Sequence, residues 1–62
     1  MSDPTEERIR KLRHDIANPL AAILAETQLL LLRESELDAE TVTSLKDIEA
    51  AVRRIRDRLA QG

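Results

Sequence analysis

Leu45-Lys46-Asp47-Ile48-Glu49-Ala50-Ala51-Val52-Arg53-Arg54-Ile55-Arg56-Asp57-Arg58-Leu59 is the stretch whose pattern decides the fold. Leu45, Ile48, Val52, Ile55 and Leu59 alternate steps of three and four, the seam of a helix packed on other helices over about two heptads. Lys46, Glu49, Arg53, Arg54, Arg56, Asp57 and Arg58 fill the opposite surface. Glu49 and Arg53 stand four apart, where an ion pair contributes a few tenths of a kcal/mol. The late arginines complement the helix dipole. They read as a solvated face, with an RNA-binding patch as the alternative.

Upstream, Ser35-Glu36-Leu37-Asp38 interrupts the helical pattern, and Asp38 is a candidate cap with acidic Glu40 in the first turn. This second helix is expected over about 39–60. At the other end, Ser2-Asp3-Pro4-Thr5-Glu6-Glu7 reads as a helix start. Asp3 can cap, Pro4 suits the first helical position, and Glu6 follows the cap as in a capping box. A first helix is expected over about 4–34, followed by a connection at 35–38. Its stripe of Ile9, Leu12, Ile16, Leu20, Ile23, Leu24, Thr27, Leu30 and Leu31 is wider than a coiled-coil seam and suits a bundle.

Leu29-Leu30-Leu31-Leu32 is apolar almost all round, which two helices cannot cover and four can. The expected fold is therefore all-α, a two-helix antiparallel hairpin that homodimerises into a four-helix bundle, with residues 1–62 as one domain. Composition agrees. The 62 residues are 42% apolar, but eight of the apolar residues are alanine and none is aromatic. A chain of this size buries only about 60% of its unfolded surface even when compact, so a monomer without disulfides would be marginal.

The same composition excludes whole classes of chemistry. No cysteine means no thiol nucleophile or zinc-thiolate site, and one histidine cannot build a His-rich metal site. The single glycine, the last residue, excludes a glycine-rich phosphate loop. The longest apolar run, Leu20 to Ala25, falls far short of the roughly 20 residues that span a bilayer. Ten basic against 12 acidic residues give no net pull toward nucleic acid. The expectation is a small cytoplasmic helical unit, without membrane contact, cut from a longer protein.

That one histidine lies outside the stripe. At about 100° per residue, His14 falls about 140° from Ile9, with Asn18 one turn later on the same outer side. Periodicity alone leaves an incidental exposed histidine open. Pro19, however, sits in mid-helix, where it removes a hydrogen bond and clashes with the carbonyl of Asp15, at a cost of around 3 kcal/mol. A kink or loosened turn beneath an exposed imidazole would account for it. Ala17, Ala21, Ala22 and Ala25 leave a smooth surface for a close-approaching partner, although alanine is also simply the best helix former.

His14-Asp15-Ile16-Ala17-Asn18-Pro19-Leu20 resembles the H-box of sensor histidine kinases, in their HisKA-type dimerisation and histidine-phosphotransfer domain. The family box reads His, an acidic residue, two variable residues, Asn or Thr, Pro and Leu. Its commonest variant has Glu and Leu where this chain has Asp15 and Ile16. The resemblance extends to the hairpin as a whole and covers nearly the entire chain.

It implies that His14 is the phosphoacceptor, attacking the γ-phosphate of ATP through Nε2 and passing the phosphoryl group to a response-regulator aspartate. It implies that Asp15 is the general base or orienter at Nδ1, with an exposed ion pair to Lys11 or Arg8 as the plainer alternative. Asn18 matches a position that orients water in family members with phosphatase activity, or else is a polar surface residue. Pro19 supplies the kink, and Ala17, Ala21 and Ala25 point to the partner surface. No stretch resembles the family's ATP-binding boxes. The resemblance therefore implies that ATP and Mg²⁺ come with a separate catalytic domain and the receiver, with no cofactor or metal held here. Outside it stand a dimeric RNA-binding hairpin, disfavoured by the absence of stacking aromatics, and a purely structural dimerisation module.

Overall fold

A computed structural model describes residues 3–61 of the chain. Ser2, read above as the approach to the first helix, and Gly62 lie outside the described residues. Two helices make up the fold, α1 over Pro4–Leu31 and α2 over Ala39–Gln61, with a 3₁₀ turn at Glu34–Glu36 between them. Among the described residues there is no strand. The helices run antiparallel: Lys46 meets Glu34 at 3.5 Å and Gln28 donates to Glu49 at 3.3 Å, while Leu59 shares a groove with Ala17. The chain is an antiparallel helical hairpin.

Local chemistry sets the helix starts. Asp3 Oδ1 accepts the N–H of Thr5 at 2.9 Å, with Pro4 at the first helical position. Asp38 Oδ1 accepts the N–H of Thr41 at 2.8 Å and caps α2. The hydrogen bonds from Thr41 hold the Asp38 carboxyl below its ordinary value of 3.8. A depressed carboxyl stabilises the fold above the unfolded value, and that stabilisation is lost as pH falls through the folded one. Asp38→Ala is therefore expected to lower the thermal midpoint at pH 7, and the gap to wild type should narrow as pH drops below about 4. Thermal melts followed by circular dichroism at a series of pH values check both.

The end of α1 differs from the expected boundary near residue 34. The α-helix stops at Leu31; Arg33 N–H then bonds Leu30 O at 3.0 Å and Glu36 N–H bonds Arg33 O at 2.9 Å, both three residues back. Arg33, Glu34 and Glu36 are good helix formers, so propensity alone carries the helix onward. The tightened turn instead reverses the chain and brings Leu37 to a half-buried position.

Packing divides the apolar residues between two faces. Arg13, Ala17, Leu20, Leu24, Thr27 and Leu31 are buried or half-buried, and so are Val42, Leu45, Glu49, Val52 and Leu59 on α2. These positions, spaced by three, four or, from Val52 to Leu59, seven residues, form the seam inside the hairpin, with Leu20, Leu24 and Val52 at its centre. Thr27 is 5% exposed, and its hydroxyl donates to Ile23 O at 2.7 Å. The expected single seam of α2 is thus split. Leu45, Val52 and Leu59 face α1, whereas Ile48 and Ile55 stay 43% and 44% exposed. On α1, Ile9, Leu12, Ile16, Ile23 and Leu30 are likewise exposed. Helix geometry places this row and the Ile48–Ile55 pair on the same side of the hairpin.

One chain is consequently neither compact nor well covered. Its radius of gyration is 15.4 Å, against roughly 10.5 Å for a compact domain of this length. Its accessible surface is 5192 Å², against about 4,000 Å² for a compact protein of this mass. Among the described residues, no helix is long and apolar enough to cross a membrane.

Candidate functional site

His14 and Asp15 are both exposed on α1, five and four residues before Pro19 respectively. The helix runs unbroken through Pro19, so the proline does not divide it. Having no N–H, Pro19 leaves the Asp15 carbonyl, next to His14 in the chain, without its usual helical donor. Asn18, one turn after His14, is exposed, as are Ala21 and Ala25. Ala17 is not on that open surface. It is half-buried toward α2, because it belongs to the seam that runs from Arg13 through Leu20.

Asp15 is already engaged. Lys11 Nζ donates to Asp15 Oδ2 at 2.8 Å, one turn back on the same helix. The hydrogen bond and the charge of Asp15 raise the Lys11 ammonium above its ordinary value. Both side chains are well exposed, so the pair is weak and exchangeable. To serve His14 the carboxylate must leave Lys11, since adjacent helical side chains diverge by about 100°.

His14 also borders an open groove of about 710 Å³ between the start of α1 and the end of α2. Ala17, Leu59 and Ala60 line it with small or apolar surface; Arg10, Lys11, Arg13 and Arg56 give it a basic rim, opposed by Glu7. The groove lies on the opposite side of the hairpin from Ile9, Ile16 and Ile23 by helix geometry. Neither the approach of Arg56 nor the groove was legible in the H-box, because both depend on how the helices pair. The spacing of Arg13, Ala17, Leu20, Leu24, Thr27 and Leu31 carried the signal, but an arginine, an alanine and a threonine disguised it. Among the described residues, no cluster of three or more His, Asp or Glu side chains could hold a metal ion.

Fold and site together define a helical-hairpin domain that carries one accessible imidazole at its open end. A family model described as the His Kinase A (phospho-acceptor) domain matches residues 6–61, and the chain belongs to that family. No curated protein and no solved structure matched it. Domains of this family are the phosphoacceptor and dimerisation units of histidine kinases, and generally work with catalytic and receiver partners.

Proposed function

We propose that His14 is the phosphoacceptor of a two-component sensor kinase and that two copies of the chain form the working unit. The observation that carries the first part is the position of the only histidine, exposed on α1 little more than one turn before Pro19. The Nε2 lone pair attacks the γ-phosphorus of ATP presented by a separate catalytic domain, which brings Mg²⁺ to the phosphates. The N–P bond forms as the bond to the bridging oxygen breaks, and ADP leaves with that electron pair. Loss of the Nδ1 proton to Asp15, released from Lys11, neutralises the ring. The phosphoryl group then passes to a receiver aspartate, with Mg²⁺ held on the receiver. Ala21 and Ala25, and Ala17 at the groove edge, let that partner approach α1 closely.

Asn18 lies one turn beyond His14, within reach of a receiver seated over the histidine. Its amide would orient water against the phosphoaspartate, giving the domain phosphatase activity. In this reading it acts in the cytoplasm, where ATP and receiver are available.

The second part rests on the exposed apolar row. The surface of one hairpin, 5192 Å², exceeds that of a compact protein by roughly 1,200 Å². A stable interface buries about 800 Å² per partner. Joining two rows gives a four-helix bundle and leaves His14 outward on each copy.

The test supplies ATP, Mg²⁺ and a histidine kinase catalytic domain and follows acid-labile, base-stable phosphate on the chain. Wild type should be labelled, and an unlabelled wild type contradicts the proposal. Asp15→Asn should keep the helix content and slow labelling by about 10²-fold. An unchanged rate in that variant would remove Asp15 from the mechanism.

A further inference from the structure

Basic side chains from both helices gather around the groove that His14 borders. Lys11, Arg33, Lys46 and Arg53 each pair with a carboxylate. Among the described residues, Arg8, Arg10, Arg13, Arg54, Arg56 and Arg58 form no ion pair, and of these Arg10, Arg13 and Arg56 are gathered near His14. These three line the groove that His14 borders, with Glu7 as the one carboxylate of that lining. The chain carries a net charge of −2, yet this groove gathers uncompensated positive charge from both helices. Arg10 lies one turn before His14 on α1, close enough to share its helix face. Arg56 comes from α2 and is brought to the same groove only by closure of the hairpin.

Guanidinium groups are donors only and offer the donor N–H of a neutral imidazole no acceptor. They suit the anion that the imidazole acquires. Arginine presents a planar fork of donors that matches phosphoryl oxygens in a bidentate geometry. Ala17 and Ala60 in the groove keep that space free of bulk.

We propose that Arg56, assisted by Arg10, is a phosphoryl-binding residue that holds the phosphoryl group while it resides on His14. This rests on the reading of His14 as phosphoacceptor. It adds that the second helix supplies part of the acceptor site, and that hairpin closure and phosphohistidine lifetime are linked. The groove faces away from the apolar row, so dimerisation leaves it open.

Potassium phosphoramidate tests this without a kinase domain. Its P–N bond breaks as the bond from phosphorus to the imidazole nitrogen forms, and ammonia leaves. In ³¹P NMR titrations, the last phosphoryl ionisation on His14 of the wild-type chain is expected about half a pKa unit below that of Arg56→Gln. Arg56→Lys should restore part of the difference. Arg58→Gln, which removes the same charge from a position outside the groove, should leave the titration near wild type. Raising the salt concentration should erode the difference between wild type and Arg56→Gln. Hydrolysis of the phosphohistidine should be about threefold faster in Arg56→Gln, the factor equivalent to that shift.

Circular dichroism establishes that the variants keep their helices. Identical titrations of wild type and Arg56→Gln overturn the proposal, as does an equal shift in Arg58→Gln. Because the reagent phosphorylates imidazole chemically, that result would leave the kinase reading intact. Conversely, failure of a catalytic domain to label the chain would reject the kinase reading while the titration still measured the groove.

Discussion

A chain carrying His14→Gln, supplied with ATP, Mg²⁺ and a histidine kinase catalytic domain, is expected to acquire no acid-labile phosphate. The loss should be complete, because the sequence holds no second imidazole to take over. Glutamine keeps polarity and approximate reach, but its amide nitrogen lone pair is delocalised into the carbonyl and does not attack phosphorus. The fold should be indifferent to the change, since His14 is exposed and outside the buried set of Leu20, Leu24, Thr27 and Val52. Helix content and association state should match wild type. Labelling that persists in the variant would move the acceptor elsewhere. A purely structural dimerisation module would show no label on either chain.

The second large effect concerns association. If two copies pair through the exposed row as proposed, Ile23→Asp combined with Ile48→Asp should convert that dimer to monomer at micromolar concentration in sedimentation measurements. The two isoleucines are 47% and 43% exposed in one hairpin and lie on the same side. A two-fold interface doubles each substitution, so four carboxylates must lose water without partners. Each costs several kcal/mol, and every 1.4 kcal/mol is tenfold in affinity. Dimer dissociation should rise by well over a thousandfold. Helicity should fall as well, because the hairpin's own core is little more than Leu20, Leu24 and Val52, with Leu59 packed against them. Leu32→Asp is the control. Leu32 is 81% exposed and lies almost opposite the row, so the dimer should survive. A double variant that remains dimeric would place the interface elsewhere.

Much of the hairpin could be read from the residues because its signals are local. Asp3 and Asp38 cap the helices through their own neighbours at Thr5 and Thr41. The pairing of Glu49 with Arg53 needs only one helical turn. The outward placement of His14 follows from its angle to Ile9. What escaped the sequence depends on how the helices pair. Period alone assigned Leu45, Ile48, Val52, Ile55 and Leu59 to one seam, because a wheel cannot tell an intrachain face from an interchain face 80° away. Arg13 and Ala17 joined the buried side although neither looks like a core residue, since the arginine stem can lie along apolar surface. The turn at Glu34–Glu36 overrode helix propensity to reverse the chain. At the site, the sequence offered both Lys11 and Arg8 as partners for Asp15; the structure selects Lys11. The gathering of Arg10 and Arg56 around one groove required the closed hairpin.

The central claim is that one imidazole carries the phosphoryl group. It is tested most directly by labelling the wild-type chain with ATP and a catalytic domain, then locating the phosphate by fragmentation mass spectrometry under alkaline conditions. Phosphate on His14, one per chain, is the predicted result. Phosphate confined to Ser, Thr or Asp residues, with His14 unmodified, would contradict it.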